Sequence, residues 1–266
     1  MALILNKKKE VRIAVKKHKM KNLIYIFLLT TQVFFAQKGF ENGNALYQKG
    51  KYQEAIKAYE TELSSNKQSA ELYFNIGNCY YKLNKVAPSI YNYEKALLLN
   101  PDDIEIQNNL KFAQKLQIDD IKTVEKVGFN KVIQDFTNTF HYNTWGGITV
   151  GLSMVFLLFF VGYYFSQITV SKRLFFLGMF VVMLLLLVSV SSAIFEKNQF
   201  NNDQPAIVFS EVVSVKSEPK VGAADAFMLH EGTKVYILET LDNWNKIQLT
   251  DGNEGWIENS AIKRLK

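Results

Sequence analysis

The side chains in this sequence that could do chemistry are few and scattered. There are three histidines and one cysteine in 266 residues. His230 adjoins Glu231, a pair that could begin a metal site. A metal needs matched ligands, however, and His18 and His141 lie in other parts of the chain. Cys79, between Asn78 and Tyr80, reads as a small buried apolar group rather than a reactive thiolate. As the sole cysteine it excludes an intramolecular disulfide and leaves the redox compartment open. No paired acid and base, phosphate-cradling glycine loop or nucleophile–histidine arrangement is present. The expected catalytic residues, metal ligands and cofactors are therefore none, and an enzyme is the weakest of the function classes. Trp244 and Trp256 offer different chemistry: flat rings beside turn-rich segments make an aromatic surface for a ligand, or pack as core or rim residues.

The elements that must position these residues are set by two apolar runs, Trp145–Ser166 and Leu174–Phe195. Each has 22 residues and no Asp, Glu, Lys or Arg, and a helix needs roughly 20 apolar residues to cross the hydrocarbon core. The link 167–173 is so short that the two helices must be antiparallel neighbours, with their flanking segments on one side of the bilayer. Ser189, Ser191 and Ser192 are candidates for hydrogen bonds between the helices. A lone hairpin without intramembrane charge makes a poor conduit.

The formal net charge of +6 is unevenly spread. Residues 1–36 hold eight Lys/Arg and one acid, leaving 23 basic and 24 acidic residues in 37–266, so no nucleic-acid partner is expected. The basic stretch ahead of the apolar run Leu23–Leu29 has the layout of a signal peptide over 1–36, with Met20 as an alternative start and Ala36 as a candidate cleavage residue. Export of the next segment, together with Lys172 and Arg173 in the link, places the link in the cytoplasm and both soluble parts outside it.

Between leader and hairpin the chain repeats itself at a period of 34. Gly43-Asn44-Ala45-Leu46-Tyr47 aligns with Gly77-Asn78-Cys79-Tyr80-Tyr81, then Tyr52 with Val86, Ala55 with Ser89, Ile56 with Ile90 and Tyr59 with Tyr93; Pro101 closes the second copy. This is similar to the tetratricopeptide repeat, in which small residues let paired antiparallel helices approach closely and aromatic rings fill the space between pairs. A capping helix is expected over Ile104–Leu116. Two repeats and one helix bury a marginal core, since such arrays need about three units. The array over 37–118 is therefore expected to lean on something else, either the mixed charged and aromatic segment 119–144 lying along the membrane surface or a partner protein. The inner groove would carry Phe40, Asn44, Tyr47, Gln48, Phe74, Asn78, Tyr81 and Lys82. Of these Asn44, Tyr47, Phe74, Asn78, Tyr81 and Lys82 are the candidate partner-binding residues, with packing as the alternative role for the Asn and aromatic positions. Phe40 and Glu71 stand where a carboxylate clamp would want lysine, so that mode is rejected.

After the hairpin, 196–204 reads as a polar linker, and 205–266 as about five short strands: Ile207–Val215, Phe227–Leu229, Lys234–Glu239, Asn245–Thr250 and a last one from Gly255. Turn pairs Asp242-Asn243 and Asp251-Gly252 punctuate them. The motif Leu229-His230-Glu231-Gly232-Thr233-Lys234-Val235, with Trp244-Asn245-Lys246-Ile247 and Gly255-Trp256-Ile257, resembles bacterial SH3-like barrels, a likeness that implies binding of cell-wall peptides or protein ligands.

The fold class expected is a multidomain membrane protein: helical tetratricopeptide repeats, a two-helix transmembrane hairpin and a small all-β SH3-like barrel. The order of these parts resembles the Bat aerotolerance operon family of Bacteroidetes-type bacteria. That resemblance implies an inner-membrane accessory protein with both soluble domains in the periplasm, working with von Willebrand factor A-type membrane proteins and a MoxR-type ATPase in oxidative or envelope stress. It carries no catalytic residue with it. Two readings follow, a scaffold that binds proteins of an envelope complex through the repeat groove and barrel, and a sensor whose barrel binds peptidoglycan.

Overall fold

The computed structural model describes residues 38–64, 68–122 and 128–266; the expected signal peptide lies outside them. Helices α1 (Lys38–Gln48) and α2 (Tyr52–Ser64) form the first antiparallel pair, α3 (Ala70–Lys82) and α4 (Val86–Leu99) the second, and α5 (Ile104–Gln114) caps the array. The 34-residue period is visible in the backbone. Gly50 and Asn84 occupy the same turn in the two copies, both left-handed, with φ of 73° and 54°. This is a region that glycine and, less readily, asparagine tolerate. Ser69 caps α3 by accepting from the Leu72 N–H at 3.1 Å. Asp103 caps α5 by accepting from Glu105 and Ile106. Such side chains satisfy the donors a helix start leaves open. Helix α4 ends at Leu99, two residues before Pro101, as proline demands.

Glycine is required at Gly43 and Gly77 by packing. A Cβ on Gly43 would lie 2.3 Å from the Tyr59 ring and one on Gly77 2.8 Å from the Tyr93 ring, and both rings are almost wholly buried.

Helix α6 (Phe129–Thr137) is short and amphipathic, and leads into α7 (Tyr142–Phe165) and α8 (Thr169–Asn202). The last two are long and apolar enough to cross a membrane, and 0% and 11% of their most apolar windows are covered within the chain. The helical hairpin is tighter and longer than the apolar runs imply. Helix α8 begins at Thr169, inside the expected link, and continues to Asn202 through most of the expected linker 196–204. Polar residues at both helix ends keep their backbone hydrogen bonds satisfied internally, which favours continuing the helix over opening it near lipid.

Glycines and phenylalanines interlock the two spans. Phe175 fills the notch at Gly162, and Phe159 fills the one at Gly178, where an added Cβ would sit 2.6 Å from the ring. Ser189 donates to the Trp145 carbonyl at 3.1 Å and lies 2.9 Å from Thr149 Oγ1. Ser189 thus bonds across the two helices, while Ser192 is buried and Ser191 exposed. Gly178→Val is expected to force Phe159 out of its notch at a cost of about 1–3 kcal/mol. A lowered Tm of the detergent-solubilised chain would register it, and an unchanged Tm would refute the interlock.

The C-terminal part is an antiparallel sheet of seven strands in the order β3-β2-β6-β5-β4-β1-β7, and it is not closed. Its strands are β1 (Pro205–Val208), β2 (Val212–Lys216), β3 (Asp225–His230), β4 (Lys234–Leu241), β5 (Trp244–Gln248), β6 (Glu254–Glu258) and β7 (Ile262–Arg264). Seven replaces the expected five or so. The run Ile207–Val215 is divided by a turn, which lets β1 pair with β4 and β7 while β2 pairs with β3 and β6. Two-residue turn Asp242-Asn243 joins β4 to β5, with Asp242 left-handed.

Candidate functional site

The repeat array leans on the β-sheet of the same chain. Ile207 and Leu265 share one buried cluster with Tyr73, Ala87, Ile90 and Tyr91 of the second repeat. Tyr91 and Phe209 meet edge to face at 5.6 Å. The β3–β4 turn is the wedge. Gly232, with φ of +91°, brings backbone so close that a Cβ there would lie 3.0 Å from both Ile90 and Val86. Glu231 accepts from the Ala87 N–H at 3.4 Å, at the start of α4, where Lys85 supplies no side-chain cap. On the other side of the turn Lys234 and Glu94 form an ion pair at 2.7 Å, and the Glu94 side chain is only 9% exposed.

Asp119 is the hub of this seam. It accepts from the His230 N–H at 2.7 Å and Thr233 Oγ1 at 2.6 Å through Oδ2, and its Oδ1 lies 2.7 Å from His230 Nδ1. Burial pushes its carboxyl upward, but the hydrogen bonds from Thr233 and His230 outweigh burial and hold it below the usual carboxylate range. Asp119 to Ile121 thus belong to the seam and depart from the expected membrane-proximal 119–144 segment, of which α6 retains the amphipathic character. His230 has its partner in a residue 111 positions away, which no local pattern discloses. Among the described residues no His/Cys/Asp/Glu group could hold a metal ion.

Since the sheet packs on α4, the inner face formed by α1, α3 and α5 remains uncovered by it. On that face the period is written in polar contacts. Asn44 Oδ1 accepts from the Tyr59 hydroxyl at 2.6 Å and Asn75 Nδ2 at 3.2 Å. Asn78 Oδ1, one repeat on, accepts from Tyr93 at 2.7 Å and Asn109 at 2.9 Å. The two asparagines therefore tie each inner helix to its pair and to the next inner helix. Phe74 lies 5.9 Å from the Tyr93 ring, and Tyr47 packs edge-on against Tyr52 at 5.3 Å. Tyr47 and Tyr81 are half-buried, and Lys82 is exposed. Cys79 is buried beneath them, and burial pushes its thiol up to about 12, so it stays protonated.

One groove residue was missed. Phe112, a further 34 positions beyond Asn78, is 52% exposed, with the Lys115 ammonium 5.3 Å from its ring centre. Stepping the period once more onto the capping helix would have found it. In the sheet, Trp244 is 9% exposed and Trp256 half-buried, and the strand register puts both on the face opposite the buried Ile247 and Ile257. Trp244 is needed where β4 turns into β5, opposite Leu241 and Glu258, and burying its large ring stabilises that corner.

Comparison with known families identifies the array. A TPR repeat model matches residues 43–84, and a tetratricopeptide repeat model matches residues 70–103. No curated protein matches the chain.

Proposed function

We propose that this chain is a non-enzymatic membrane-anchored scaffold that gathers proteins of an envelope stress complex of the aerotolerance type. Its partners would be other membrane or periplasmic proteins; by resemblance these are von Willebrand factor A-type Bat proteins and a MoxR-type ATPase system. The observation that carries the reading is the tetratricopeptide array with its inner face left open, since such repeats are modules for binding protein segments. With the Asn44 and Asn78 oxygens engaged inside the array, the partner contacts are assigned to Tyr47, Tyr81 and Lys82, with Phe112 at the far end. Phe74 and the amide groups of Asn44 and Asn78 set the shape of the floor.

Further support for a fixed scaffold comes from the seam. The array and the sheet share one buried cluster, which supports placing both on one side of a bilayer crossed by α7 and α8. This fits an even number of spans; the periplasmic location is proposed from the expected export of the N-terminal part. Peptidoglycan binding through Trp244 and Trp256 loses force with Trp244 buried.

The test is a cysteine crosslinker attached at Tyr81→Cys in intact cells. Cys79 needs no replacement because it is buried and protonated. Capture of a discrete membrane protein from position 81, but not from Glu218→Cys on the far β2–β3 loop, is the expected result. The same capture pattern from both sites, or none from a position 81 that an external reagent labels, would overturn the groove reading.

A further inference from the structure

Helix α6 is turned the opposite way from a surface helix of a soluble protein. Its apolar residues Val132 and Phe136 are 64% and 51% exposed, while Lys131, Gln134, Asp135 and Asn138, spaced as one helical stripe, line a cleft of about 730 Å³. A helix at the start of a membrane hairpin with its apolar face outward lies in the lipid interface, polar face upward. Trp145 fixes that posture: its indole donates to the Thr137 carbonyl at 2.8 Å, and Phe136 and Phe140 pack on its ring. The cleft is open on one side, with the C-terminal turns of α8 as one wall and β4, the end of β5 and the following turn as the roof.

The lining states what would enter. Carboxamides dominate, from Gln134 and Asn138 on α6, Gln199 and Asn202 on α8, and Gln204 and Gln248 beyond. Three carboxylates, Asp135, Asp203 and Asp251, stand against the single ammonium of Lys131, a balance that disfavours phosphate headgroups and other anions. The volume lies within the roughly 300–1,000 Å³ of ligand pockets, and the walls are polar and apolar in about equal measure. Gln199 Oε1 is buried with no hydrogen-bond partner among the described residues. Tyr236 and Leu238 supply the apolar strip on which a ring of C–H groups can rest.

We infer that this membrane-surface cleft binds an uncharged saccharide bearing hydroxyl and amide groups. Two sources share that chemistry, a soluble glycan chain and the sugar headgroup of a lipid. The proposal is independent of the repeat groove, which lies on other helices.

The experiment uses the full chain in phosphatidylcholine nanodiscs, with the N-acetylglucosamine tetramer as the soluble probe and galactosyl diacylglycerol in the disc as the lipid probe. The double variant Asp135→Ala/Asn202→Ala alters two exposed cleft residues, and Glu218→Ala on the β2–β3 loop is the control. Saturable binding of either probe, weakened about tenfold or more by the double variant and unchanged by Glu218→Ala, is the expected result; which probe binds identifies the source. Absence of binding to both, binding that the double variant leaves intact, or a preference for a lysine-rich peptide over both sugars would overturn it.

Discussion

Asp119→Ala is expected to loosen the repeat array from the sheet and to lower stability by about 2–4 kcal/mol. The variant leaves the His230 N–H, the His230 ring and the Thr233 hydroxyl without their shared acceptor, and a donor orphaned in a largely buried place costs roughly 1–3 kcal/mol. For the soluble body this corresponds to a fall in Tm of about 5–10 °C. Hydrogen exchange at the His230 amide should accelerate in step, since that amide is protected by docking. The sign of the pH dependence follows from the depressed carboxyl of Asp119. Its contribution is fully present above the unfolded carboxylate value of about 3.9 and is lost as pH falls through the lower folded value. Asp119→Asn removes that part of the acid limb. A wild-type Tm in Asp119→Ala, or unchanged exchange at His230, would show that the seam is held by its apolar cluster alone.

Tyr93→Ala should be the most damaging single change in the array, at about 3–5 kcal/mol. The Tyr93 ring is 1% exposed, fills the space that Gly77 leaves open, and lies 5.9 Å from Phe74. Its hydroxyl ties Asn78 to the outer helix. Tyr93→Phe isolates that last part and should cost about 1 kcal/mol. Burial raises the phenol so that the hydroxyl remains a donor throughout the physiological range. Urea titration of both variants separates the ring from the hydroxyl; equal losses would mean that the polar ladder, rather than ring packing, holds the repeat. Tyr59, the counterpart one repeat earlier, makes the same bond to Asn44.

The repeat and the two apolar helices were legible because their signals are local or periodic. Gly43 and Gly77, or Tyr59 and Tyr93, recur at a spacing that only a stacked helix pair produces, and a 22-residue run without charge leaves a helix little choice near lipid. The β character of 205–266 was legible in its branched residues and turn pairs, but strand number and pairing were not. The short strand β7 carries Ile262-Lys263-Arg264, which gives no alternation to read, and it is a strand because β1 pairs with it.

What the tertiary structure alone decided is where the parts meet. His230 looked isolated because its partner Asp119 lies before the hairpin, and Glu94 and Lys234 are separated by 140 positions and two long apolar helices. The Asn44 and Asn78 oxygens looked available to a ligand until the adjacent helices supplied Asn75 and Asn109 as donors. Sequence alone determines the elements through local sterics and hydrophobic period. The seam, the open inner face and the cleft above α6 depend on which surfaces are buried together, and burial is set by elements far apart in the chain.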